Sequence, residues 1–187
     1  MVNLYSIIIM NYQKSAPYIL YSLFELSSID FFARSVTKEL CIFASTESIK
    51  RSAPGRKTSL EYKSIICYVQ KNHDGIAVAC TCDTEYPVMI AFEFLSNVLN
   101  NYQDNKISES SLKNLLYEYQ DINKINKIYA IKKELAETVK ICSDTINKLA
   151  IREDELQDLI QRTQDLSEQT KIFMIESKNL NSCCTLF

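Results

Sequence analysis

Seven cysteines and one histidine are the residues of this chain with the widest chemical repertoire, as nucleophiles or zinc ligands. Cys80 and Cys82 are one residue apart, which places them on one face of a strand and differs from the Cys-x-x-Cys spacing of zinc sites. His73 belongs to the sequence His73-Asp-Gly75, which is typical of a tight hairpin turn. Two glycines in the whole chain leave no glycine-rich phosphate loop. We therefore expect no enzyme activity, no metal site and no cofactor.

The last five residues, Cys183-Cys184-Thr-Leu-Phe187, contain a second kind of cysteine site. The final four fit the Cys-aliphatic-aliphatic-X signal for prenylation of Cys184, with Thr185 as the weakest match. One prenyl chain holds a protein on a membrane only reversibly, and Cys183 supplies a thiol for a second lipid. The sequence predicts a lipidation tail over residues 183–187, with a farnesyl or geranylgeranyl group on Cys184 and palmitate on Cys183.

A long heptad pattern precedes this tail. Between Ile128 and Leu180, sixteen seam positions recur at alternating spacings of three and four residues, and no Gly or Pro follows Pro87. As one helix the segment would be about 80 Å long, and its apolar stripe would require partner helices. Ten seam positions are Ile, Leu, Phe or Cys and five are Thr or Ser, which favours a wider bundle over a two-stranded coil. The predicted core layers include Leu135, Leu149, Leu156, Leu159, Leu166, Phe173 and Leu180.

Arg152 is the one charged seam residue, and it lies between Leu149 and Leu156. A buried guanidinium requires acceptors, whereas a symmetric homodimer would place two of them face to face. Partner helices of other chains that supply side-chain carbonyls would satisfy it. The alternative is that Arg152 extends to solvent from a register that frays locally.

The first 120 residues predict a compact α+β domain. Apolar runs at Val2–Met10 and Tyr18–Leu26 predict a hairpin, and Ile65–Val69 and Ile76–Cys82 flank the Asp-Gly turn. Two helices are expected, one with Phe32, Leu40 and Phe43 on its stripe and one after Pro87. Two strands, a helix, three strands and a helix, in this order, predict an α+β domain with a five-stranded antiparallel sheet packed between helices.

Composition limits the possible partners and compartments. The formal charge of −2 provides no general attraction to nucleic acid. The apolar amino terminus has no basic leader or small-residue cleavage site, and no apolar run reaches the length of a membrane span. We therefore expect reduced thiols and a cytosolic protein.

Two parts of the sequence resemble known families. The run Leu149-Ala-Ile-Arg-Glu-Asp-Glu-Leu156, with Leu159, Leu166 and Phe173 in phase, resembles the R-SNARE motif of the synaptobrevin class. The stretches Ser27–Ser35, Lys50–Arg56 and Asp83–Phe92 resemble a longin domain, which has a profilin-like fold. With the paired terminal cysteines, the chain is similar to lipid-anchored, YKT-type longin SNAREs. The implied domains are a longin domain over residues 1–120, an R-SNARE coiled coil over 121–182 and the tail over 183–187.

The resemblance implies a function in vesicle docking and membrane fusion. In this family the arginine forms an ionic layer with three glutamines, so Arg152 would meet three Q-SNARE helices in a heterotypic four-helix bundle. The SNARE disassembly machinery would be a further partner, and the lipid anchor would hold the chain on the cytosolic face of Golgi, ER, endosomal or vacuolar membranes. The alternative is a longin adaptor or tethering subunit without fusion activity.

The resemblance also implies autoinhibition, because in this class the SNARE segment and the lipid fold back onto the longin domain. Phe43 matches an aromatic residue that lines the receiving groove. Phe32 and Leu40 lie on the same predicted stripe, and we expect them instead to anchor the helix to the sheet.

Overall fold

The computed structural model describes residues 3–13, 17–62, 65–121, 146–149, 151, 153–164 and 166–172. These residues form one six-stranded sheet with helices on both faces, as α+β patterning predicts. The strands are β1 (Leu4–Asn11), β2 (Tyr18–Phe24), β3 (Lys57–Tyr62), β4 (Ile65–Lys71), β5 (Ile76–Asp83) and β6 (Asn147–Leu149). The helices are α1 (Arg34–Arg51), α2 (Val88–Gln103), α3 (Glu109–Gln120) and α4 (Glu153–Arg162). A 3-10 turn, Phe31–Ala33, precedes α1.

The sheet order is β2-β1-β5-β4-β3-β6. The pairs among β1 to β5 are all antiparallel, which confirms the predicted five-stranded antiparallel sheet. The predicted turn between β4 and β5 is present: Gly75 has a φ of 89°, a backbone conformation that glycine adopts without strain. The sequence pattern did not predict β6, which pairs with β3 in the parallel direction.

Helix α1 packs on one face of the sheet. Its buried residues Cys41, Ala44 and Ile49 face an apolar core layer that includes Ile8 and Val69. The hydroxyl of Thr81 on β5 donates to the Cys41 sulfur at 3.0 Å, so a polar bond also ties the helix to the sheet.

A buried lysine satisfies the carboxyl end of α1. The ammonium of Lys71 on β4 donates to the carbonyls of Ile49 at 3.0 Å and Ser52 at 2.9 Å, which are groups that a helix end leaves without partners. It also lies 4.0 Å from the ring centroid of Tyr12. Burial lowers the pKa of Lys71. These bonds fix the position of α1 relative to β4.

Helices α2 and α3 cover the opposite face of the sheet. The residues they bury there include Phe92, Phe94, Leu95 and Leu112, which join the larger apolar core. Helix α3 begins with a capping box in which Ser108 and Ser111 exchange side-chain and backbone hydrogen bonds. These elements thus form three layers, with α1 on one side of the sheet and α2 and α3 on the other.

Two residues that we expected to anchor α1 to the sheet, Phe32 and Leu40, do not do so. Phe32, which we expected to anchor α1 to the sheet, is 93% exposed. It lies in the 3-10 turn, and α1 begins only at Arg34, so the helical period used for the prediction does not extend to Phe32. Leu40 is buried, as expected, but it does not belong to the core layer between α1 and the sheet.

The carboxy-terminal segment is helical in α4 and again at residues 168–172. It is not one continuous helix, because Asn147–Leu149 is extended and pairs with the sheet. An isolated helix with an apolar stripe gains its stability by packing. In this conformation the longin-like domain provides the packing surface.

Candidate functional site

The carboxy-terminal segment first contacts the domain through β6. Its register with β3 places Asn147 beside Thr58 and Leu149 beside Leu60. Leu149 packs against the core layer beneath α1, while Ile146 packs against the opposite core. Residues three apart in a strand point to opposite faces, so the extended conformation buries both apolar side chains, at least in part. This edge of the sheet receives a seam residue.

Packing beside β6 is incomplete. A cavity of about 260 Å³ lies on the α2 side of this strand, lined in part by Tyr68, Val88, Ile146 and Lys148. Two residues of β6, Asn147 and Lys148, are exposed to solvent. A three-residue strand next to such a cavity is held by few contacts.

The second contact is an ion pair between α4 and the carboxyl end of α1. Arg51 Nη1 lies 2.9 Å from Glu155 Oε1, and both side chains are partly exposed. Glu47, one turn earlier, accepts a hydrogen bond from Lys50 at 2.8 Å. Such exposed pairs contribute at most about 1 kcal/mol, so this contact orients the segment more than it stabilises it.

The third contact is an apolar cluster on the outer surface of α1. Leu40 and Phe43 of α1 bury Ile160 and Leu166 of the carboxy-terminal segment, which are 2% and 4% exposed. Leu159 is partly buried against the same cluster, as are two side chains from the ends of β3 and β4. The cluster is separate from the two cores around the sheet. Phe43 therefore lines a groove that holds residues of the predicted SNARE motif.

The fourth contact is polar and lies nearer to the amino end of α1. The backbone N–H of Ser167 donates to Glu39 Oε2 at 2.8 Å. The hydroxyl of Ser167 also accepts from the N–H of Thr170 at 3.3 Å, as a helix-capping serine does, and Thr170 is fully buried. Burial of Glu39 opposes its ionisation, but hydrogen bonds from Ser167 and Thr170 outweigh it and lower the pKa of this carboxyl group.

These contacts define the direction of the segment. Glu155 pairs with Arg51 and Ser167 pairs with Glu39, so the segment runs antiparallel to α1. The two α1 residues are twelve apart, which corresponds to about 18 Å along a helix. The outer face of α1, together with the β3 edge, is the candidate functional site, and we call it the docking surface.

The described residues include only part of the predicted site. Phe43, Leu159 and Leu166 meet in one cluster, and Leu149 lies apart from them in β6. Ile160 and Glu39 were missed: Ile160 falls outside the predicted seam, and nothing in the sequence connects Glu39 with Ser167. The remaining predicted site residues lie outside the described residues or, for Leu156, have a side chain outside them: Leu135, Arg152, Leu156, Phe173, Leu180, Cys183 and Cys184.

The described cysteines are packing residues. Cys41, Cys67, Cys80 and Cys82 are buried with free thiols. Burial raises the pKa of Cys67 to about 12 and the pKa values of Cys80 and Cys82 well above 9.0. Thiols in this state are poor nucleophiles at neutral pH.

Among the described residues, no helix is long and apolar enough to cross a bilayer.

Comparison with known proteins matches both halves of the chain. Residues 26–125 match the longin model, described as a regulated-SNARE-like domain, and residues 127–185 match the synaptobrevin model. The synaptobrevin homolog ykt6 of Schizosaccharomyces pombe is 29% identical over 196 residues, covering 99% of this chain and all of that protein. The VAMP-like protein YKT61 of Arabidopsis thaliana is 30% identical over 186 residues, covering 93% of each. A putative synaptobrevin homolog, YKT6, of Dictyostelium discoideum is 29% identical over 183 residues, covering 90% of this chain.

Proposed function

We propose that this chain mediates vesicle docking and membrane fusion by zippering with three Q-SNARE helices. The chain belongs to the longin-domain synaptobrevin family of R-SNAREs in vesicle trafficking, and this membership supports the proposal. The family is not enzymatic. In the assembled state the segment from Ile128 to Leu180 forms one helix of a heterotypic four-helix bundle. Burial of the seam between the helices stabilises the bundle. Arg152 selects the partners because its guanidinium requires their glutamine carbonyls.

We further propose that the present conformation is a closed, autoinhibited state. The observation that carries this proposal is the burial of Leu166 against Phe43 on the outer face of α1. Leu166 is also a predicted core layer of the bundle, and one side chain cannot occupy both places. The docking surface and the partner helices therefore compete for the same segment.

The contacts of the docking surface contribute little enough free energy for the closed state to open. Burying Ile160 and Leu166 contributes roughly 2 kcal/mol each, and the other contacts of the docking surface are short or partly exposed. A four-helix bundle buries the seam over its whole length, which is many more side chains. Assembly with partners would therefore outweigh the closed state, while the closed state would delay assembly until partners are present.

We propose a membrane anchor of two lipids at the carboxyl end. A prenyl group on Cys184 would deliver the chain to membranes and palmitate on Cys183 would retain it there, because stable anchoring takes two signals. The chain would then cycle between the cytoplasm and the cytosolic face of Golgi, ER, endosomal or vacuolar membranes, and the SNARE disassembly machinery would recycle it from spent bundles.

Reconstitution tests this function. The unlipidated chain is mixed with the SNARE segments of a Q-SNARE set, and complex size and helix content are followed by light scattering and circular dichroism. We expect a complex with one copy of each helix and a gain in helix, since Asn147–Leu149 must change from strand to helix. A chain that binds no Q-SNARE set, or that forms a stable homotetramer through this segment, would support the adaptor alternative.

A further inference from the structure

Two neighbouring aromatic side chains project from the domain at the amino end of α1. Phe31 is 75% exposed and Phe32 is 93% exposed, the two highest values among the large apolar side chains of the described residues. Their rings lie 5.7 Å apart in an edge-to-face arrangement. Phenylalanine is usually buried, and adjacent exposed rings of this kind mark an interaction surface.

The turn that presents these rings is held in place. Arg34 donates from Nε to the carbonyl of Ile29 at 3.0 Å and from Nη2 to the carbonyl of Ser27 at 3.3 Å. The N–H of Ala33 donates to the carbonyl of Asp30 at 2.9 Å. The phenylalanine pair is therefore presented in a defined orientation, and little conformational entropy remains to be lost on binding.

Basic side chains accompany the rings. The guanidinium carbon of Arg34 lies 6.0 Å from the centroid of Phe31, and Lys38 follows one turn later with its ammonium 5.1 Å from the ring of Phe24. Asp30 is the acidic neighbour on the same turn. Rings beside Arg and Lys suit the boundary of an anionic bilayer, where apolar groups enter the acyl region and cations meet headgroups.

The carboxy-terminal segment runs toward this end of α1. From the Glu155–Arg51 pair to the Ser167–Glu39 bond, the carboxy-terminal segment runs along α1 toward the phenylalanine pair. Cys184 follows Ile172 by twelve residues, which span at most about 40 Å when extended. The nearness of a membrane to this end rests on the proposed lipidation. A lipid on Cys184 would hold the amino end of α1 within reach of the same bilayer.

We infer that Phe31 and Phe32 form a membrane-contact site, which inserts both rings into the interface of an anionic bilayer with Arg34 and Lys38 at the level of the headgroups. The site lies beside the docking surface and includes none of the residues that hold the carboxy-terminal segment. The closed conformation can therefore use it. The longin-like domain would touch the membrane directly, in addition to any lipid anchor.

A single-tryptophan chain tests this inference, because the natural sequence contains no tryptophan. Phe32→Trp is prepared as the full, unlipidated chain and mixed with vesicles of phosphatidylcholine and phosphatidylserine. We expect its emission to shift to the blue and brominated lipids to quench it. Tyr117→Trp is the matched control: Tyr117 is 51% exposed on α3, on the opposite face of the sheet from α1, and its emission should not change when vesicles are added.

A binding measurement completes the test. Replacing both rings, in Phe31→Ser/Phe32→Ser, should lower partition into the same vesicles by at least about tenfold, because loss of one buried phenylalanine alone accounts for such a factor. Unchanged thermal unfolding would show that the fold is intact.

Three results would overturn the inference. The first is an unshifted Phe32→Trp emission at saturating lipid. The second is a blue shift without vesicles that grows with protein concentration, which would indicate a second copy of the chain. The third is a blue-shifted emission before lipid is added that does not depend on protein concentration, which would indicate that another part of the same chain covers the ring. Because the chain carries no lipid here, none of these results bears on Q-SNARE assembly, which is tested separately.

Discussion

The backbone N–H of Ser167 donates to the carboxylate of Glu39 at 2.8 Å, across 128 positions of the sequence. This bond joins the predicted SNARE motif to the first helix of the longin domain. Burial alone would raise the pKa of Glu39, but hydrogen bonds from Ser167 and Thr170 lower it below the ordinary value of 4.5. Docking of the carboxy-terminal segment on α1 is thereby linked to the ionised form of one side chain.

The first prediction concerns pH. Because the pKa of Glu39 is lower when the segment is docked, its contribution is complete above pH 4.5 and is lost as the pH falls through the docked pKa. The amide proton of Ser167, followed by NMR, should therefore titrate with a midpoint below 4.5. Glu39→Gln should abolish that titration. A midpoint above 4.5 in the natural chain would contradict this description of the contact.

The second prediction concerns Phe43. Phe43→Glu places a carboxylate in the cluster that buries Ile160 and Leu166, and an unpaired buried charge costs several kcal/mol. Hydrogen exchange should show that residues 153–172 lose protection while the sheet keeps it, since the cluster is separate from both cores. Phe32→Glu is the control, because Phe32 is 93% exposed and should tolerate the charge. Equal protection in both variants would mean that α1 does not retain the segment.

The third prediction concerns the proposed ionic layer. Arg152→Gln should leave the unassembled chain folded and lower the rate of fusion or of bundle disassembly. A reciprocal Gln→Arg change in one partner helix should restore that rate, because the layer again contains one arginine and three glutamines. Fusion and disassembly rates of reconstituted vesicles provide the measurement. Failure of every reciprocal change would argue that Arg152 faces solvent.

The fourth prediction concerns the anchor. Cys184→Ser should remove the stable lipid anchor and leave only the weak contact of Phe31 and Phe32 with anionic membranes, because palmitoylation follows prenylation at the membrane. Cys183→Ser should leave a weak, reversible association, since one lipid chain binds only marginally. Flotation of cell extracts measures both. If Cys184→Ser floats as well as the natural chain, Cys184 is not the principal lipid site.

Much of the fold is readable from the sequence because its signals are local. The strands around Gly75 and the helix with Leu40 and Phe43 follow from periodicity and turn residues a few positions apart. The prediction that Phe32 packs on the sheet is wrong because the helical spacing does not apply to Phe32, which precedes the start of α1 at Arg34 by two residues. The 3-10 turn that exposes it has no distinct period of its own.

The docking surface is harder to predict because its contacts are distant in sequence and because the segment also fits the seam pattern of a bundle. Leu149 fits a heptad seam and also fits strand β6, and three residues are too few for periodicity to distinguish them. Ile160 lies next to Leu159 and outside the seam, so a pattern written for the bundle cannot mark it as a contact of the closed state. Glu39 and Ser167 form a polar pair that no local rule connects.

Ile160 provides the most direct test of the central claim, that one segment alternates between the longin domain and the bundle. Ile160→Asp should release the segment, because Ile160 is 2% exposed against α1, yet it leaves the predicted seam residues intact. Gln161→Asp is the matched control, as Gln161 is the next residue on α4 and is exposed. The measurement is the rate of assembly with a Q-SNARE set. We predict that Ile160→Asp assembles at least about tenfold faster than the natural chain, since the lost burial exceeds 1.4 kcal/mol, while Gln161→Asp matches the natural rate. Equal rates for all three chains would contradict the claim.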